Sequence, residues 1–188
     1  MLVTESPPQS PGAPSPDPLR VAFHELHGRS LHGFALLLTL GDRATAATLT
    51  SDALAEAGSR LDTLRHPERA AAWLRARVLR MAAPPRRRPI SAPPSLPVLA
   101  ELGADEPIVA GLAALDPHER AAFIASSIER LDQRDVAVVV GRDGSRLERF
   151  LARARRRYLV AYQRADPTAT ADGPIADQVD EAARRAIG

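Results

Sequence analysis

A chain of 188 residues with 45% apolar content can bury one core or two small ones, and its 17 prolines imply long irregular stretches between helices. All 25 basic residues are arginines, yet the formal net charge is only +2, which excludes a polycation that binds nucleic acid indiscriminately; where the charge lies matters more than its sum. The absence of cysteine excludes a disulfide framework, a thiolate nucleophile and a thiolate zinc site, and no apolar run reaches transmembrane length, so the expectation is a cytoplasmic protein without membrane insertion.

Residues 1–18 are rich in proline and serine and lack apolar periodicity, as in a disordered arm. From Leu19, the residues Val21, Phe23, Leu26, Leu31, Phe34, Leu37 and Leu38 trace one face of a helix that Gly41 closes. Asp42 or Thr45 can start a second helix through Leu49, Ala53, Leu54 and Ala57, ending near Gly58, and LDTLR can add a further turn. A third helix opens at Pro67 with Ala70, Trp73, Leu74, Val78 and Met81 as its buried stripe, and Pro84-Pro85 stops it.

Residues 84–109 read as a proline-rich linker, basic at Arg86 to Arg88 and acidic at Glu101, Asp105 and Glu106. Asp116-Pro117-His118-Glu119 has the form of a capping box, followed by Phe123, Ile124, Ile128 and Leu131 as an apolar face. Asp132 can cap a short helix with Val136, Val139 and Val140 inward, and Gly141 sits where the chain needs positive φ to leave it. Asp143 is placed to cap the next helix, whose stripe is Leu147, Leu151, Ala154 and Tyr158, with arginines from Arg142 to Arg157 around it. This is a helix-turn-helix pattern with a second helix suited to a DNA groove. Residues 166–188 are polar, with Ile175, Val179, Ala183 and Ile187 hinting at a short amphipathic helix.

The pattern predicts an all-α chain: a three-helix domain over 19–83, a linker over 84–109, a helix-turn-helix domain over 110–165 and a flexible tail over 166–188. His24, His27 and His32 do not have the HExxH spacing and suit a surface or interface better than a metal. No serine-histidine-acid arrangement, phosphate loop or carboxylate dyad stands out, so neither an enzyme nor a cofactor is expected.

In this order of elements the chain resembles the extracytoplasmic-function (ECF) sigma factors of the sigma-70 family, small initiation subunits of bacterial RNA polymerase. FHELHGRSLHGFALLLTLGDRATAATL and RLDTLRHPERAAAWLRARVLR echo the family's region 2; ALDPHERAAFI and DVAVVVGRDGSRLERFLARARRR echo its region 4. The resemblance implies core RNA polymerase and promoter DNA as partners, with an anti-sigma factor as a further one, and a role in transcription initiation. It places Arg142, Ser145, Arg146, Arg149, Arg153 and Arg156 near DNA, and Leu49, Asp52 and Glu56 on the polymerase-binding surface. The chain departs from the pattern at Ala47-Thr48-Leu49 and Ser51-Asp52, where an acidic pair, leucine and glutamine-glutamate are usual, and at Gly58, Arg80, Glu148 and Phe150. The departures on the second helix, with Pro84-Pro85 cutting short the third, support an alternative, a sigma-like interaction or regulatory protein that has lost promoter-opening activity.

Overall fold

The computed structural model describes residues 17–60, 67–84 and 93–168, so all of the expected arm but Asp17 and Pro18, which begin the first helix, the LDTLR turn, Arg86 to Arg88 and the terminal amphipathic segment lie outside the described residues. Among the described residues the regular elements are all helical: α1 (Pro18–Leu38), α2 (Arg43–Gly58), α3 (Pro67–Ala82), α4 (Leu96–Ala100), α5 (Glu106–Ala113), α6 (Pro117–Phe123), α7 (Gln133–Val140) and α8 (Gly144–Ala165). A single π-turn, Ile124–Ile128, continues α6.

Local chemistry sets most boundaries. Asp17 accepts from Leu19 N and precedes Pro18 at the first helical position of α1. At the other end Leu40 (φ 55°) and Gly41 (φ 84°) turn left-handed, and Gly41 N donates to Leu36 O at 2.8 Å. Asp42, not Thr45, caps α2: its carboxylate accepts from both Thr45 N and Thr45 Oγ1, and these bonds hold its pKa below the usual aspartate value. The capping box at Asp116 and Glu119 forms in full.

Helices α1 and α2 pack on each other and on α3, as the sequence pattern predicts. The first turns of α1 differ from expectation. Among the described residues Leu19, Val21 and Leu26 are exposed and the buried face starts at His27; in these turns Phe23 packs against the core edge and Arg20 Nε donates to Gly58 O. In α3, Ala70, Leu74 and Val78 are buried while Trp73 and Met81 are only partly so. Arg75 and Leu79 are buried too, since α3 is packed by α1 and α2 and also by α6 and α7.

Much of the stretch read as linker is folded. Ser95 N donates to Leu40 O, Leu99 of α4 is fully buried, and Arg43 pairs with Glu101, so 93–101 returns to the α1–α2 corner. There Gly41 is needed twice over: its φ is positive and a Cβ would sit 3.0 Å from Ser95 O. Asp105 caps α5, which lies along α8 so closely that a Cβ on Gly111 would come within 2.5 Å of the Tyr158 ring.

The buried side chains form one continuous cluster from Leu31 and Phe34 through Leu74, Leu99, Leu112, Ile124 and Val136 to Leu147 and Tyr158. Each such aliphatic side chain contributes about 1.5–3 kcal/mol by leaving water. Two arginines bridge the parts expected as separate domains. Arg75 on α3 forms a two-pronged pair with Glu129, Nε to Oε2 at 2.5 Å and Nη2 to Oε1 at 2.6 Å. Arg120 on α6 donates to Leu38 O of α1 and to Leu112 O and Leu115 O. The π-turn takes part in this: Glu129 N donates to Ile124 O, Arg130 turns to φ 54°, and the Glu129 carboxylate is brought onto Arg75.

Candidate nucleic-acid interface

The corner between α7 and α8 is built by two left-handed glycines. Gly141 (φ 65°) closes α7, Gly144 (φ 46°) opens α8, and a Cβ at either would meet nothing within 4 Å. Glycine is therefore required for backbone conformation rather than for space. Asp132 caps α7 as predicted, accepting from Asp135 N. Asp143 occupies the N-cap of α8 but makes no side-chain capping bond, a correction to the sequence reading: the left-handed glycine after it carries the first amides out of the usual capping geometry.

Inside the corner, Val136, Val139 and Val140 are buried as expected. Helix α8 buries Leu147, Phe150, Ala154, Tyr158 and Tyr162, and Leu151 only partly. Phe150, which stands where arginine is frequent in the ECF pattern, is thus core. Tyr158 stacks on Phe123 at 4.2 Å between ring centroids, and burial raises its pKa far above the usual tyrosine value.

The opposite side of α8 exposes Ser145, Arg146, Arg149, Arg153 and Arg156, and Arg142 is exposed at the corner. All six residues predicted near DNA are exposed, and they have different partners. The Arg142 guanidinium lies over the Phe150 ring, 4.2 Å from its centroid, and that of Arg153 is 5.5 Å from the same ring. Arg149 Nε donates to Ser145 O in its own helix. Glu119 is fully buried, and Arg153 Nε lies 2.9 Å from its Oε1 while Arg157 Nη1 lies 2.5 Å from its Oε2. The capping-box glutamate is therefore also the internal counter-ion for two arginines of α8, a role that no spacing in the sequence signals.

Beside the corner, Arg142, Arg153, Phe150 and His118 meet the end of α3 at Ala83 and Pro84 around an open hollow of about 290 Å³. Two guanidiniums, the apolar ring and the Asp116 carboxylate, which also lines the hollow, offer donors and an acceptor that suit a base edge.

The three residues predicted to bind polymerase share one side of α2, spaced at i, i+3 and i+7, but differ in exposure. Leu49 is buried in the core, Glu56 is half-buried with its Oε2 2.5 Å from Arg77 Nε, and Asp52 is exposed. The histidines are dispersed. His27 is buried against Phe23, 4.6 Å between centroids, its Nε2 has no hydrogen-bond partner among the described residues, and burial and then Arg75 hold its pKa below the usual histidine value. Among the described residues no helix is long and apolar enough to cross a membrane, and no group of three or more metal-ligating side chains occurs.

Comparison with protein-family models, with curated proteins and with solved structures returned no match.

Proposed function

We propose that the chain is a sigma-like subunit of bacterial RNA polymerase that directs transcription initiation by laying the N-terminal turns of α8 on promoter DNA. The observation that carries this reading is the glycine-built corner, after which Ser145, Arg146 and Arg149 stand exposed on the first turns of α8 beside Arg142 on the Phe150 ring. Sequence would be read at base edges by guanidinium forks, and most of the affinity would come from phosphates and from polymerase. The order of elements, three helices followed by a helix-turn-helix, supports the same reading. Core polymerase and, as regulator, an anti-sigma factor are the protein partners it implies.

A second reading has its own support. Leu49 lies in the core, Glu56 is held by Arg77, and one side of α3 is closed off by α7 and Glu129. These features favour a sigma-like interaction protein that binds polymerase or another regulator without opening DNA.

Reconstitution separates the two. Purified protein is added to core polymerase with genomic promoter fragments, and run-off transcripts are counted. Promoter-dependent transcripts support the first reading; stable complex formation with no such transcripts overturns it in favour of the second.

A further inference from the structure

A second basic surface lies on the C-terminal half of α8, away from the corner. Arg156, Arg157, Val160, Ala161 and Arg164, with Ala114 at the end of α5, line an open hollow of about 430 Å³. Its lining is one-sided in charge, with three arginines and no carboxylate. Arg157 is anchored there by Glu119 and by Ala114 O, and Val160 leaves an apolar strip 43% exposed between the guanidiniums. Such a surface fits an acidic segment that also carries aliphatic residues one turn apart.

The chain supplies one just downstream. From Asp172 to Glu181 it has four carboxylates, Asp172, Asp177, Asp180 and Glu181, and no basic residue, with Arg184 and Arg185 following. Ile175, Val179 and Ala183 recur at intervals of four. These residues lie outside the described ones, which end at Thr168, three residues past α8.

We infer that segment 172–183 docks on this hollow of its own molecule, with Val179 against Val160 and its carboxylates against Arg156, Arg157 and Arg164. The reach is ample. Arg156 and Arg164 are about 12 Å apart along the helix axis, whereas the roughly nine residues from Asp166 to Pro174 can span about 30 Å. A tether this short gives an effective concentration of about a millimolar, so individually weak ion pairs suffice to keep the surface covered. The tail thereby cancels the charge at one end of the arginine row and leaves the corner end to meet other anions.

The inference does not rest on DNA binding, and neither does its test. The full chain has no cysteine, so Val160→Cys with Val179→Cys introduces the sole thiols. Under mild oxidation the internal disulfide, read as a shifted monomer band and by peptide mass, should form at least about tenfold faster than in a Leu26→Cys with Val179→Cys reference, given the local concentration gained by docking. Adding Arg156→Glu and Arg164→Glu, or raising the salt to about 1 M, should slow the reaction severalfold, to the rate that the tether alone sets. Ala161→Cys with Val179→Cys repeats the measurement with Val160 intact. Rates equal to the reference in both pairs, or rates untouched by charge reversal, overturn the inference. A disulfide-linked dimer whose rate rises with protein concentration also overturns it, assigning the surface to a second copy.

Discussion

Arginine does opposite work at the α3–Glu129 seam and on the outer side of α8. At the seam Arg75 is 6% exposed in its side chain, its partner Glu129 is 5% exposed, and the guanidinium also donates to Ala71 O and Ser30 Oγ. On α8, Arg146, Arg149 and Arg156 are exposed, and Arg149 Nε donates to Ser145 O of its own helix backbone. Burial decides which arginine is structure and which is surface. A desolvated guanidinium must have every donor met, whereas a solvated one costs the fold almost nothing and keeps its donors for a ligand.

The largest effect should come from breaking the seam. Arg75→Ala leaves a buried carboxylate unpaired and should lower unfolding free energy by about 3–5 kcal/mol, measured by urea titration. Burial pushes the Glu129 pKa up while Arg75 pulls it down, and a buried ion pair adds little net stability when desolvation offsets its attraction. The double change Arg75→Met with Glu129→Leu should therefore recover most of the loss. Recovery by that pair would mark the seam as shape-filling; a loss as large as in the single change would mark it as an electrostatic clamp.

Next come the inward contacts of α8. Gly111→Ala forces a methyl into the Tyr158 ring and should cost about 1–3 kcal/mol, because neither packed backbone nor buried ring can easily yield. Arg153→Ala should cost about 1–3 kcal/mol despite the exposure of Arg153, since it strips one partner from the fully buried Glu119. Arg149→Ala makes the matching control, with a change within about 0.5 kcal/mol. If thermal melts show Arg153→Ala and Arg149→Ala alike, the division of α8 arginines into held and outward ones fails.

Much of this fold was legible in the sequence, and the parts that were not share a physical cause. Caps and stops are local, so Asp42, the Asp116–Glu119 box, Asp132 and Gly141 could be read from neighbours in the chain. The α3 stripe gave only half of its burial, because its second buried side is created by α6 and α7, far away in sequence. Leu99, read as linker, is buried by the α1–α2 corner for the same reason. Arg75, Glu129 and Arg120 look like any surface charges until the helices they join are brought together. On α8, the outward positions of Ser145, Arg146, Arg149 and Arg156 could be read from helical spacing, but the capture of Arg153 by Glu119 across 34 residues of sequence could not.

A smaller, pH-dependent effect should appear at the seam. His27 abuts Arg75 and is buried, so its folded pKa lies below the ordinary 6.5 and the unfolded chain binds its proton more readily. Its contribution is then complete above pH 6.5 and is lost as pH falls below that value toward the folded pKa. Melting temperatures between about pH 5 and 7 should decline toward acid, and His27→Gln should flatten that decline. An unaltered slope in the variant would place the sensitivity elsewhere.

The least costly changes to the fold should have the clearest effect on binding. Arg146→Ala and Arg149→Ala leave no buried group unpaired, so each should shift stability by less than about 0.5 kcal/mol. If Arg146, Arg149 and Arg153 each meet a phosphate, log affinity for promoter DNA should fall with log salt at a slope of about −2.7. Each of the first two substitutions should reduce the magnitude of that slope by about 0.9. Arg153→Ala should reduce it by less, because Glu119 already offsets part of its charge. Fluorescence anisotropy of a labelled duplex over a salt series gives all four slopes. Equal losses at the three positions would mean that DNA draws Arg153 away from Glu119, whereas unchanged slopes would remove α8 from the DNA interface.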